Sequence, residues 1–227
     1  MTARKWMYVL RANGEGHSAF GERMRKDVTR TLLDLDPSRL SLTLTETPPP
    51  KLALFPFKRD PVAVFAVHDA DNEPSRFTDA LSGAASTCSG YEVEESFPVE
   101  YNKSWDDGAP TPTPILLTVL HQKPGITFDE YIERWHGGHT PLSLKIHPLW
   151  YYQRNVIKGP VTEGAAPCDG LVLEACPTKQ DLLNPVRFFG GALKMIPNMI
   201  RVANDIQGFL DMKKVETFYC TEYLIRS

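Results

Sequence analysis

Lys123-Pro124-Gly125-Ile126-Thr127-Phe128-Asp129-Glu130-Tyr131-Ile132-Glu133-Arg134-Trp135-His136-Gly137-Gly138-His139-Thr140-Pro141-Leu142 is the stretch on which the reading of this chain turns. Lys123-Pro124-Gly125 is a turn. Thr127 with Glu130 three residues later is a capping box that opens a helix. Phe128, Tyr131, Ile132 and Trp135 fall on one helical stripe. Gly137-Gly138 predicts the end of that helix and an inward turn, whose direction Pro141 fixes. His139 stands eleven residues after Phe128, about three helical turns, so it continues the same inward stripe. That sets a titratable ring at the edge of an aromatic wall.

Working outward, Ile115–His121 reads as a strand before this helix. Trp150–Ile157 and Gly170–Cys176 read as middle strands after it. The region from Gln180 to Gln207 is mainly helical, broken at Pro185 and Pro197, and Val215–Ile225 is a last strand. The first half repeats the order. Lys5–Arg11 is an apolar strand, and Asn13-Gly14-Glu15-Gly16 is a loop. A helix follows with Ser18 as its cap and Phe20, Met24, Val28 and Leu32 on one face. Arg39–Glu46 alternates, Pro48-Pro49-Pro50 begins a loop, and Pro61–His68 is a strand. Ser75–Ala85 is a short helix, and Tyr91–Tyr101 alternates again. Each half is β-α-β-β-α-β, the ferredoxin-like order.

Between them Ser104–Pro114 carries Pro110, Pro112 and Pro114, which stop helix and central strand alike. The expected organisation is therefore residues 1–103, a Pro-rich linker at 104–114, and residues 115–227. Trp6 pairs with Ile115 and Gly16 with Gly125, an offset of 109 both times (115 − 6 and 125 − 16). A sheet with helices on one side leaves its other face bare. Two such sheets in one chain cover each other, so the expected fold is α+β: an intramolecular antiparallel barrel with helices outside.

Composition narrows the function classes. Hydrophobic residues are 42% and charged residues 23%, enough to bury a core and not a disordered profile. A net charge of −3 gives no broad basic face, which excludes nucleic acid as the expected partner. No apolar run approaches the roughly 18 residues of a membrane span, and Met1–Lys5 has no apolar leader. The four cysteines, Cys88, Cys168, Cys176 and Cys220, form no C-x-x-C pair. They read as reduced, mostly buried thiols, and the expected location is cytoplasmic.

The quoted stretch resembles the EthD family pattern, in which a strand ends in K-P-G, a helix ends near Trp, and H-x-P-L follows. The matching residues are Trp135, His139, Pro141 and Leu142. The first half matches in element order and lacks the H-x-P-L step. The resemblance implies a tandem-duplicated member of the dimeric α/β-barrel superfamily. Its relatives include cofactor-free decarboxylases, dehydratases, cyclases and oxygenases of aromatic or polyketide-like compounds. The expected function is a cofactor-independent acid–base lyase, a decarboxylase or dehydratase, on such a substrate. The alternatives are a cofactor-free oxygenase or cyclase on a phenolic substrate, or a non-catalytic binder of aromatics. Two fused halves already make the interface that single-domain relatives fill by dimerising, so a monomer suffices and a homodimer is compatible.

His139, His136 and His121 are the expected acid–base candidates. Imidazole titrates near neutrality, and an apolar wall shifts it further. Tyr131, Trp135, Tyr152 and Glu222 are the expected substrate-binding residues. Each histidine has a plain alternative, capping carbonyls at a helix end. His147, before Pro148, reads as structural. No metal site is expected. His136-x-x-His139 offers two imidazoles, but the glycine pair breaks the helix and no third ligand stands nearby. Asn13–Gly16 lacks the G-x-G-x-x-G spacing and no G-x-S-x-G elbow occurs, so no nucleotide cofactor is expected.

Overall fold

The computed structural model describes residues 4–12, 14–51, 53 and 55–227. Met1–Ala3 of the N-terminal reading, and Asn13 of the Asn13–Gly16 loop, lie outside the described residues. Eight strands are described: β1 Arg4–Arg11, β2 Arg39–Leu44, β3 Val62–Asp69, β4 Thr87–Val99, β5 Ile115–Leu120, β6 Tyr151–Pro160, β7 Gly170–Ala175 and β8 Glu216–Arg226. The helices are α1 at 17–33, α2 Pro74–Leu81, α3 at 128–146, α4 Lys179–Leu183, α5 Pro185–Phe188 and α6 Ala192–Ile206.

All strand pairs are antiparallel, and the eight close into one barrel in the order β1-β3-β2-β8-β5-β7-β6-β4. Within each half the order is fourth-first-third-second, the ferredoxin-like arrangement. Two seams join the halves. At one, Leu42 faces Tyr223 across β2 and β8. At the other, Glu94 faces Val156 across β4 and β6. Closure removes the sheet edges that each half would otherwise leave unpaired.

Period-two alternation sorts the side chains into layers. Met7, Val9, Leu117, Leu171, Leu173 and Phe218 fill the barrel. Trp6, Tyr8 and Leu10 point outward against Phe20, Met24 and Phe77 of α1 and α2. On the second half, outward-facing Leu120, Val172 and Tyr152 meet Tyr131 and Trp135 of α3. Because β1 is buried on both faces, Trp6–Leu10 reads as an unbroken apolar run, and β5 is apolar but for Thr118.

Helix α3 departs from the expected end at Gly137-Gly138. It runs through a π-helical turn at Glu133–His139 and continues from Thr140 to Ile146. The wide turn tolerates Pro141, which has no N–H to donate. Thr140 Oγ1 donates to the carbonyl of Trp135, five residues back, at 3.1 Å. The first half builds the same device: a π-helical turn at Met24–Val28, with Thr29 Oγ1 donating to the carbonyl of Met24 at 2.9 Å. Two further details differ from expectation. Helix α1 begins at His17 with Gly16, not Ser18, as its cap. Pro197 lies inside α6 rather than breaking it; its missing bond would fall to Leu193, which is fully exposed to solvent. Among the described residues, no helix is long and apolar enough to cross a membrane.

Candidate active site

Between the outer face of the second-half sheet and its helices lies a cavity of about 360 Å³. Its floor is built by alternation: Thr118, Glu174, Tyr152 and Thr217 from four adjacent strands all face outward into it. Trp135, His139 and Ser143 enter from α3, Phe188 and Phe189 from α5 and the residue after it, and Phe209 from the turn after α6. The walls are therefore mainly aromatic, and the polar groups are few and convergent.

His139 is the centre of the polar set. Its Nδ1 lies 2.7 Å from Asp205 Oδ2 on α6, and its Nε2 lies 3.1 Å from Ser143 Oγ. The His139 side chain is 15% exposed, and its ring packs 5.5 Å from that of Phe209. A carboxylate only accepts, so the Nδ1 that faces Asp205 carries a proton. On the floor, Glu174 has no hydrogen-bond partner among the described residues. Burial pushes its carboxyl up to about 7, opposed by the charge of His139. It lines the cavity.

The three histidines of the sequence reading do not converge. His136 sits edge-on to Trp135 at 4.8 Å, with Nε2 buried and unpaired among the described residues. Burial first, then the positive charge of Arg154, pulls it down to about 4. His136 is not among the residues lining this cavity. His121 ends up past β5, in a separate pocket with Arg11, Tyr91, Cys168 and Glu216. His147, read as structural, does line the cavity. It stacks 4.0 Å from Phe188 and contacts that residue's carbonyl at 3.0 Å.

Trp135 and Tyr152 both line the cavity. The Tyr152 hydroxyl lies 3.2 Å from Thr140 Oγ1. Tyr131 is fully buried behind Trp135, and its hydroxyl has no partner among the described residues. Glu222 lies elsewhere, because position 222 has inward parity on β8. It is buried in the barrel mouth, where Tyr101 and Thr111 hydroxyls reach it at 3.3 and 3.4 Å. That mouth also holds Lys5, which bonds Glu95 at 2.7 Å and Asn155 at 2.8 Å. Sequence reasoning missed Asp205, Ser143, Glu174 and Thr217. Only Ser143 carried a local signal, its four-residue spacing from His139, and the expected helix end concealed it.

No protein-family model matches the chain, and no curated protein matches it in sequence. Its likeness to solved structures is one of fold, and the fold is that of the dimeric α/β barrels. An anthrone oxidase-like protein aligns over 99% of this chain and 92% of its own, with a TM-score of 0.60 and 9% identity. A "putative monooxygenase" from Lactobacillus acidophilus aligns over 99% and 97%, with a TM-score of 0.50 and 7% identity. Another, from Fusobacterium nucleatum, aligns over 98% and 93%, with a TM-score of 0.51 and 8% identity. These neighbours correct the lyase expectation. It rested on the reactions associated with the fold, and these three are named for oxidation, not for decarboxylation or dehydration.

Proposed function

We propose that the chain is a cofactor-independent oxygenase for flat, electron-rich phenolic compounds of the anthrone kind, with its active site in the second-half cavity. The observation that carries this reading is His139, held between Asp205 and Ser143 at the edge of an aromatic-walled cavity. The neighbours' names support the oxidative class. The H-x-P-L match at His139, Pro141 and Leu142 supports an EthD-type second half, with residues 1–103 and 115–227 as duplicated units joined at 104–114. Small aromatic molecules are the partners in this reading, and one chain suffices for a complete barrel.

Such a reaction needs a base, a place for a planar anion, and exclusion of water. Asp205 fixes the tautomer, so Nε2 of His139 can take the proton from a hydroxyl or from a methylene flanked by aromatic rings. The resulting anion is electron-rich enough to reduce dioxygen directly. A carbon–oxygen bond forms. The oxygen–oxygen bond then breaks as the second methylene hydrogen leaves, giving a ketone and one water. Atoms and electrons balance without another reductant. Glu174, titrating near neutrality, supplies the proton to the departing oxygen. Trp135 and Phe209 hold the ring, and the apolar walls strengthen these contacts by excluding water.

The test is oxygen uptake by the purified protein with anthrone and related hydroxyaromatics, set against quinone formed. Uptake should match product mole for mole. His139→Ala should lower turnover by about 10²-fold to 10⁴-fold, and His139→Asn should not restore it, with thermal melts unchanged. Undiminished uptake in well-folded His139→Ala protein would remove the proposed base. Tight binding without uptake would make the cavity a binding site only.

A further inference from the structure

Ser143 lies four residues after His139 on α3, and its hydroxyl has no partner other than His139 among the described residues. With His139 neutral and its proton on Nδ1 facing Asp205, the Ser143 hydroxyl is the donor to Nε2. The residue is 1% exposed yet lines the cavity. A hydroxyl donating to an imidazole that a carboxylate orients is an activated nucleophile, recognised by geometry rather than by chain order. The oxidative reading uses it only to hold the imidazole, not as a nucleophile.

A second, independent feature lies on the floor. Thr217 is 9% exposed and lines the cavity, and its hydroxyl is buried with no partner among the described residues. Its cross-strand neighbour Thr118 presents another hydroxyl on the same face. Leaving a buried hydroxyl unmade costs stability. Such a group is, however, ready to donate to an oxyanion that forms beside it.

We propose that Ser143, His139 and Asp205 are a nucleophilic triad, and that this cavity hydrolyses uncharged esters of aromatic or apolar acids, with Thr217 donating to the oxyanion. Ser143 Oγ attacks the ester carbonyl as Nε2 of His139 takes its proton, and Asp205 stabilises the imidazolium. The bond from the acyl carbon to the alcohol oxygen breaks, and the alcohol leaves with the proton from Nε2. Water, deprotonated by the same nitrogen, then attacks the acyl-serine and releases the acid. No electrons are transferred. The aromatic walls, with Glu174 on the floor, select against charged acyl groups. This activity goes beyond the oxidative reading and stands without it.

The experiment combines a fluorophosphonate probe, read by intact and peptide mass, with hydrolysis of a nitrophenyl ester of a short apolar acid. The wild-type chain should take up a single adduct, on Ser143. Ser143→Ala should take up none and lose hydrolysis by about 10³-fold or more. Thr217→Val should keep the adduct and lose about 10²-fold to 10³-fold in turnover. Should Ser143→Ala fail to fold, Ser143→Cys decides, since it must become acylated at the new thiol. Absence of any adduct on wild-type Ser143, or hydrolysis undiminished in folded Ser143→Ala, overturns the proposal. Oxygen uptake is measured on the same preparations. Labelling without uptake defeats only the oxidative reading, and uptake without labelling defeats only this one.

Discussion

Replacing Glu222 with Gln should change how stability depends on pH. Glu222 is 2% exposed in the barrel mouth, with two long contacts from Tyr101 and Thr111. Burial lifts its carboxyl from 4.5 to about 7, against the lowering effects of the Tyr101 contact and the Lys5 charge. The folded state therefore keeps a proton that the unfolded chain has already lost. Stability linked to this group is fully present below the unfolded value. It falls as pH rises towards about 7 and is flat above that. At about 1.36 kcal/mol per pH unit, ionising Glu222 costs the folded state roughly 3 kcal/mol.

Glutamine keeps an acceptor for both hydroxyls and has no proton to lose. The difference in unfolding free energy between variant and wild type should thus shift by about 3 kcal/mol in the variant's favour between about pH 4 and about pH 8. In a chain of this size that is roughly 6–12 °C in Tm. Urea or thermal unfolding across the range measures it. Other groups titrate in the same window. Glu174, also raised to about 7, has the same slope. His136 and His147, pulled down to about 4 by burial, have the opposite slope and lose stability as pH falls below 6.5. These groups are common to both proteins and cancel in the difference. Parallel pH profiles for the two proteins would refute the reasoning.

Gly170→Ala should destabilise the fold by about 1–3 kcal/mol, because an added Cβ would lie 2.8 Å from Trp135 Cη2 and 3.2 Å from the Tyr131 hydroxyl. Urea unfolding reads the loss, and a shift in tryptophan emission reads the displaced wall. Asp205→Asn should keep the fold and the contact to His139 but favour the wrong tautomer. Turnover should then drop by about 10²-fold to 10⁴-fold with little change in KM, followed by steady-state kinetics on the best substrate found.

The fold was legible because it is written in patterns that tertiary contacts did not override. Strand alternation reflects layers that the barrel needs. The turn at Lys123-Pro124-Gly125 was legible for a local reason: Gly125 has φ +89°, a conformation that favours glycine. The capping box is half realised. The Glu130 N–H donates to Thr127 Oγ1 at 3.2 Å, while the Glu130 side chain turns to Arg134, four residues on, at 2.8 Å. The site was legible only where its residues share one helix.

Trp135 and His139 belong to a single periodic stripe. Asp205 stands 66 residues further along the chain than His139, and nothing local marks it. Glu222 falls outside this cavity because parity on a strand tells which residues share a face, not which face looks into the barrel. The glycine pair misled for a related reason. Two adjacent glycines weaken a regular helix, but a π-helical turn closed by Thr140 lets the chain continue, and Met24–Thr29 does the same without any glycine. The recurring element is the threonine that bonds five residues back. In the second half that turn sets Ser143 one helical turn beyond His139. A helix ending at Gly138 would have left the imidazole without its hydroxyl partner, so the feature that defeated the local reading is the one that builds the candidate site.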